Sequence, residues 1–156
     1  MLTTAADETI HTLSILKEID IAAPIGVAFQ AVLEELGPGG EMPDGKQFPM
    51  KIEPWPGGRW YRDLGNNSGH LWGHVQVIKP PTLLEISGPM FMSYPATNFV
   101  QYRLTVEGSG TRLKIVHRAM GLIPQDHRES VHEGWEHGLK RIRMLAERRA
   151  ERKSLL

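Results

Sequence analysis

The sequence contains no cysteine among its 156 residues. This absence excludes a disulfide framework, thiolate chemistry and cysteine-based zinc sites, and it is compatible with a reducing compartment. No run of apolar residues is long enough to span a bilayer, and residues 1–8 lack the basic and apolar regions of a signal peptide. We therefore expect a soluble cytoplasmic protein with no membrane insertion.

The chain also has no excess of either charge, since 18 Lys and Arg residues balance 18 Asp and Glu residues. A neutral chain is not built to hold nucleic acid through its overall field, so we expect no nucleic-acid partner. Residues 140–153 are the local exception, because they are strongly basic. A solvated helix end that suits the helix dipole is the favoured interpretation, and a docking surface for an acidic partner is the alternative.

Catalytic and metal-binding motifs are missing as well. The glycine pairs at 57–58 and 108–110 do not join a strand to a helix, so no phosphate loop is indicated, and no Gly-x-Ser-x-Gly element occurs. His127, His132 and His137 recur at a spacing that turns a helix through about 500°, so they cannot converge on one ion. We predict no catalytic residue, no metal and no cofactor.

One long amphipathic helix is the most informative feature that is present. Its apolar side chains recur at helical spacing and form a single stripe. These are Val131, Trp135, Leu139, Ile142 and Leu145 or Ala146. Most of the preceding chain has strand patterns, so the stripe must pack on a sheet. A sheet that wraps around a terminal helix encloses a pocket.

The order of patterns predicts a strand, a helix, six strands and a final helix. The first strand covers 13–21, the first helix follows Pro24 and ends at Gly37, and the last helix begins near Asp126. This order is typical of an α+β domain with its helices on one face of an antiparallel sheet. We predict a single domain over residues 1–156.

The predicted core spans about 13–147, with tails at 1–12 and 148–156. The loop at 37–47 is long for a compact domain, and beside a pocket mouth it could act as a lid.

Several segments together resemble the START-like superfamily. They are Gly57-Gly58-Arg59-Trp60, the strand and turn from Gly73 to Leu84, the strand from Gly110 to His117, and Gly134-Trp135 with the apolar positions that follow. The branch that fits best is named for homologues of activators of the ATPase of the ninety-kilodalton heat-shock chaperone. The resemblance covers roughly Leu13 to Glu147.

The resemblance implies a helix-grip fold like that of the birch pollen allergen, in which a curved antiparallel sheet wraps a long C-terminal helix around a cavity. It also implies a small hydrophobic ligand such as a lipid or polyketide. We predict that strand alternation and the helix stripe supply the ligand-binding residues. These are Trp60, Val75, Val77, Tyr102, Leu104, Leu113, Ile115, His117, Val131, Trp135 and Leu139.

His117 is the most interesting of these residues, because strand alternation places it among apolar neighbours. A structural role is favoured, and ligand orientation or proton transfer are the alternatives. Proton transfer by His117 would suit an enzyme of the cyclase or dehydratase type. A third hypothesis is a protein-interaction domain that contacts a chaperone or a second copy of the chain. Trp72 would serve such contacts, since alternation puts it on the outer face unless Gly73 marks a bulge.

Overall fold

A computed structural model describes residues 8–154 of the chain. Its elements are β1 (His11–Ile21), α1 (Ile25–Leu36), β2 (Lys51–Ile52), β3 (Arg59–Gly65), β4 (Ser68–Lys79), β5 (Leu83–Gly88), β6 (Ala96–Glu107), β7 (Gly110–Gly121) and α2 (Gln125–Ser154). The predicted order of strand, helix, six strands and helix is confirmed. Parts of the predicted tails, at 1–7 and 155–156, lie outside the described residues.

The strands form one antiparallel sheet in the order β1-β7-β6-β5-β4-β3-β2. Both helices contact the sheet, and α2 packs against α1 and β1. A curved antiparallel sheet with a long C-terminal helix is the α+β helix-grip fold, so the predicted fold class is confirmed.

The β6–β7 hairpin forms the regular centre of the sheet. Tyr102 lies opposite Ile115 and Leu104 lies opposite Leu113, and all four side chains are buried. Residues between them, such as Arg103, are exposed. Because side chains alternate between the faces of a strand, the apolar positions of this hairpin build one continuous inner face.

Helix α1 begins after Pro24, which lies at its N-cap with extended backbone angles. The missing N–H of proline has no partner at a helix start, so proline is well tolerated there. The strand β7 holds this junction through the Thr111 hydroxyl, which donates to the Ala23 carbonyl oxygen at 2.8 Å and is buried. This bond fixes α1 relative to the sheet.

Helix α2 continues to Ser154, through most of the segment predicted as a tail. Its basic C-terminal part is partly neutralised by the acidic face of α1, since Arg149 pairs with Glu34 and Arg141 lies 3.5 Å from Glu35. These two arginines therefore help to pack the two helices together. Within residues 8–154, no helix combines the length and the apolar character that a membrane span requires.

Two irregularities in β4 change the faces that simple alternation assigns. Between β3 and β4 the partner of Trp60 is Gly73 while the partner of Tyr61 is Leu71, which leaves Trp72 as an extra residue. Such a bulge turns the extra side chain. Trp72 is half-buried and packs edge-on against Trp60 at 5.1 Å between ring centroids. The expected outer-face position of Trp72 is therefore wrong, and the bulge considered for Gly73 is present.

The second irregularity lies between Val75 and Val77. Val75 pairs with Ile86, but Val77 pairs with Glu85, which is flanked by the buried residues Leu84 and Ile86. Val77 is thus on the outer face of the sheet, whereas we expected it on the inner face. The extra residue between the two valines reverses the alternation.

We predict that Thr111→Val lowers the free energy of unfolding by about 1–2 kcal/mol, because the buried Ala23 carbonyl loses its donor while side-chain volume is kept. Urea unfolding followed by circular dichroism measures this change. Thr105→Val, at an exposed position of β6, is the matched control and should change stability by less than about 0.5 kcal/mol. Equal effects of the two substitutions would contradict the role assigned to Thr111.

Candidate functional site: a cavity under the long helix

A cavity of about 500 Å³ lies under the N-terminal half of α2. Its walls come from α1, the loop before β2, strands β3, β4 and β6, the loop before β6, and α2. Most of the wall is aromatic or aliphatic. The aromatic side chains are Phe48, Trp60, Trp72, Phe91, Tyr102 and Trp135. A mostly apolar concavity of this volume is typical of a site for a small organic molecule.

The loop at 37–50 forms one side of the cavity, through Gly40, Glu41, Met42 and Pro43. The segment at 37–47, considered in the sequence as a lid if it lay beside a pocket, thus borders the cavity. Backbone bonds anchor the loop at its base, since the amide of Phe48 donates to the Gly40 carbonyl at 2.8 Å. Helix α1 is joined to the same wall by the Trp60 indole, whose Nε1 donates to the Leu36 carbonyl at 2.7 Å.

The loop that precedes β6 forms the opposite side through Met90 and Phe91. It is tied to the start of α2, because the Tyr94 hydroxyl and the His127 Nδ1 lie 2.7 Å apart. The Phe91 ring also contacts the His127 ring, with centroids 5.7 Å apart. Both cavity loops are thus fixed to regular elements.

Helix α2 contributes two glycines to the cavity wall, Gly134 and Gly138. They are one helical turn apart and therefore share a face. A Cβ atom built on either residue would meet no atom within 4 Å. Gly134 is exposed and Gly138 is half-buried, so the space next to the helix is open at both positions. We missed this feature in the sequence, although two glycines inside an amphipathic stripe were its visible signal.

Trp135 lies between these glycines and begins a buried chain of hydrogen bonds. Its indole Nε1 donates to His117 Nδ1 at 2.9 Å, and His117 Nε2 lies 2.7 Å from Asn98 Oδ1. An indole N–H can only donate, so Nδ1 carries no proton and Nε2–H donates to Asn98. The Asn98 amide then donates to the Pro89 carbonyl at 3.2 Å. The chain connects α2, β7, β6 and the loop after β5.

His117 is fully buried, and burial lowers its pKa to about 4. The imidazole is therefore neutral near pH 7, in the tautomer that the chain requires. The side chain is not on the cavity wall, and both ring nitrogens already have partners. This geometry matches the structural role favoured from the sequence, although the partners are side chains instead of a backbone carbonyl. Because the His117 side chain does not reach the cavity, it cannot exchange a proton with a ligand there, as a cyclase or dehydratase mechanism through His117 would require.

A buried polar cluster closes the end of the cavity near α1. Glu35 and Glu41 line the cavity, and Arg141 lies behind them, 3.5 Å from each carboxylate and 2.9 Å from the Gly39 carbonyl oxygen. His137 Nε2 lies 3.3 Å from Glu41. Burial raises the pKa of Glu35 to about 8, against a smaller opposing effect of Arg141. The carboxyl is thus largely protonated at neutral pH, a state that the sequence did not reveal.

The structure divides the eleven predicted binding residues into three groups. Four of them line the cavity: Trp60, Tyr102, Val131 and Trp135. Six are buried but do not reach the cavity wall, namely Val75, Leu104, Leu113, Ile115, His117 and Leu139. Val77 is on the outer face of the sheet. The predicted pocket is present, and its centre lies closer to β3 and β4 than strand alternation in β6 and β7 suggested.

The histidines of the chain are spread over β1, β4, β7 and α2. On α2, His127 lies against Tyr94 and His137 lies against Glu41, so the two rings serve different contacts. Within residues 8–154, the structure brings together no group of three or more histidine, aspartate or glutamate side chains that could hold a metal ion.

The family model described as "Activator of Hsp90 ATPase homolog 1-like protein" matches residues 45–147. The chain belongs to this family, within the START-like superfamily, and the predicted resemblance is confirmed. A search of curated proteins found no match.

Solved structures show the same fold at low sequence identity. An uncharacterised protein from Rhizobium leguminosarum superposes with a TM-score of 0.70 at 17% identity, covering 92% of this chain and 99% of the other. CalU16 from Micromonospora echinospora superposes with a TM-score of 0.61 at 22% identity, covering 96% of this chain and 90% of the other. Ara h 8.0201 superposes with a TM-score of 0.61 at 13% identity, covering 88% of this chain and 98% of the other. These similarities establish the fold alone.

We predict that His117 makes stability depend on pH. Its pKa is about 4 in the folded state against an ordinary value of 6.5, so the unfolded chain binds the proton first. The contribution is complete above pH 6.5 and is lost as the pH falls through 4, by roughly 3 kcal/mol. Denaturant titrations at pH 4–7 should show this loss in the wild type and a flatter profile in His117→Gln. The exposed His70→Gln is the control, and it should retain the wild-type slope.

The titration of Glu35 should change the free energy of unfolding with pH in the opposite direction. Its folded-state pKa of about 8 exceeds the ordinary 4.5, so its contribution is complete below pH 4.5 and is lost as the pH rises through 8. We expect Glu35→Gln, which is neutral at every pH, to gain stability relative to the wild type by at most about 1.4 kcal/mol per pH unit in this window. Unfolding titrations at pH 5–9 measure the difference. A difference that stays constant across the window would contradict the assignment.

Proposed function

We propose that this protein binds one small, mainly apolar molecule in the cavity between α2 and the sheet. The observation that carries the proposal is the pair Gly134 and Gly138, which leave open space along a helix face that lines the cavity. Family membership and the fold of the solved relatives support a ligand-binding domain of this type.

The two glycines are costly for the helix that carries them. Glycine inside a helix is less favourable than alanine by about 1 kcal/mol per residue, because it loses more backbone freedom on folding. A larger side chain at either position would add helix propensity and fill empty space at once. The presence of glycine at both positions is therefore explained by a function that requires the open space.

The walls of the cavity suit an apolar occupant. Trp60 and Trp72 pack edge-on, and Trp72 also contacts Phe48 and Phe91 with centroids 5.7 and 6.1 Å apart. Trp135 is held in orientation by its bond to His117. Rigid aromatic side chains supply a large contact area with little loss of side-chain entropy on binding.

We predict that Gly138→Leu abolishes or weakens ligand binding at least about tenfold while the protein stays folded, because the new side chain occupies the cavity. The assay is the fluorescence of N-phenyl-1-naphthylamine, an uncharged dye that brightens in apolar surroundings. Thermal unfolding of the variant should be unchanged or shifted upward, since leucine favours helix over glycine.

Gly26→Leu is the matched control. Gly26 is also a helical glycine on which an added Cβ atom would meet nothing within 4 Å, but it is exposed on α1 and does not line the cavity. This variant should bind the dye as the wild type does. If the wild type does not increase the fluorescence of the dye, or if Gly138→Leu binds the dye as well as Gly26→Leu does, the cavity is not a binding site for apolar molecules.

A further inference from the structure

The acidic and basic side chains that reach the cavity are all carboxyl groups. Glu35, Glu41 and Glu133 line it, and no lysine, arginine or histidine of residues 8–154 does so. Glu133 is exposed, whereas Glu35 and Glu41 are largely covered. A ligand in the cavity therefore meets carboxyl groups at the inner end and at the rim.

Arg141 is the nearest cation, and its guanidinium is already engaged. It faces Glu35 and Glu41 at 3.5 Å and donates to the Gly39 carbonyl at 2.9 Å. An acidic ligand that approached this guanidinium would also have to approach the two carboxyl groups beside it. Glu35 Oε2 is buried and makes no hydrogen bond, and Arg141 Nε lies 3.5 Å from it.

The aromatic walls also favour a positively charged ligand. The faces of tryptophan, tyrosine and phenylalanine rings attract cations, by about 0.5–2 kcal/mol for each well-placed ring. Six such rings line this cavity. Aromatic rings combined with carboxylates are a suitable environment for an ammonium group, and a poor one for a carboxylate or sulfate.

From this arrangement we propose that the cavity selects lipophilic molecules that carry a positively charged nitrogen, in preference to fatty acids and other lipophilic anions. The inference rests on the proposed function and adds the chemical class of the ligand. The apolar part of the ligand lies against the tryptophans, and its cationic group lies toward Glu35 and Glu41.

Glu35 strengthens this selection. Its carboxyl is largely protonated in the empty site because burial opposes its charge. A cation placed beside it favours the ionised form and releases a proton, so part of the attraction appears only when the ligand is bound. Arg141 favours the ionised form of Glu35, whereas Glu41 and Glu34 oppose it, and burial outweighs Arg141 while the site is empty.

The test compares three ligands with the same chain: decyltrimethylammonium, 1-decanol and decanoate. Each is titrated at low salt, below its micelle concentration, against protein loaded with N-phenyl-1-naphthylamine. The quaternary ammonium keeps its charge at every pH, so only the protein titrates. We expect the ammonium to displace the dye with an affinity at least about tenfold higher than that of decanoate, with decanol between them.

Two variants locate the selectivity. Glu41→Gln should reduce the ratio of ammonium to decanoate affinity at least about threefold while decanol binding is unchanged, because only charge is removed. Asp44→Asn is the control, since Asp44 is an exposed acid of the same loop that does not line the cavity. It should leave the ratio at its wild-type value.

The outcomes separate this inference from the proposed function. If the dye binds but decanoate displaces it as well as the ammonium does, or if Glu41→Gln and Asp44→Asn behave alike, the selectivity is refuted and the apolar site remains. If neither the dye nor any of the three ligands binds, the proposed function itself fails. Circular dichroism of each variant establishes that a lost signal does not come from unfolding.

Discussion

Trp135, His117 and Asn98 form a directional contact between the long helix and the sheet, and the shape of the cavity depends on this contact. Each group has one orientation that satisfies its partners, because an indole can only donate and a neutral imidazole donates at one nitrogen. Apolar packing alone would allow α2 to slide or rotate over the sheet. The buried chain fixes its distance and rotation at the point where Gly134 and Gly138 face open space.

The two halves of α2 then have different tasks. The C-terminal half is held against α1 by Arg141 and Arg149 and buries Ile142 and Ala146. The N-terminal half is attached to Tyr94 and to His117, and several of its residues from Ser130 to Gly138 border the cavity. The packed C-terminal half of this 30-residue helix thus supports the N-terminal half that borders the cavity.

The regular parts of this arrangement could be predicted from the sequence. The order of strand and helix patterns and the family resemblance predicted the fold class. Alternation placed the apolar residues of β6 and β7 on the inner face, although Leu104, Leu113 and Ile115 were expected to bind ligand and are core residues. Trp72 and Val77 could not be placed, because a bulge reverses faces without any mark in composition. Glu35 was missed for another reason, since its protonation depends on burial and on Arg141, more than a hundred positions away in the chain.

The position of the cavity follows from the order of the strands. Helix α2 packs on β1, which is one edge of the sheet, while Trp60 and Trp72 lie on β3 and β4 toward the opposite edge. A curved sheet brings that edge around toward the helix without touching it, and the remaining gap is bordered by two loops instead of a strand. Most inner-face residues of β6 and β7 therefore become core, with Tyr102 as an exception, while Trp60 of β3 and Trp72 of β4 become cavity wall. The chemical character of the cavity is consequently set by the aromatic side chains of β3, β4 and the loops, and by the glutamates of α1 and its following loop.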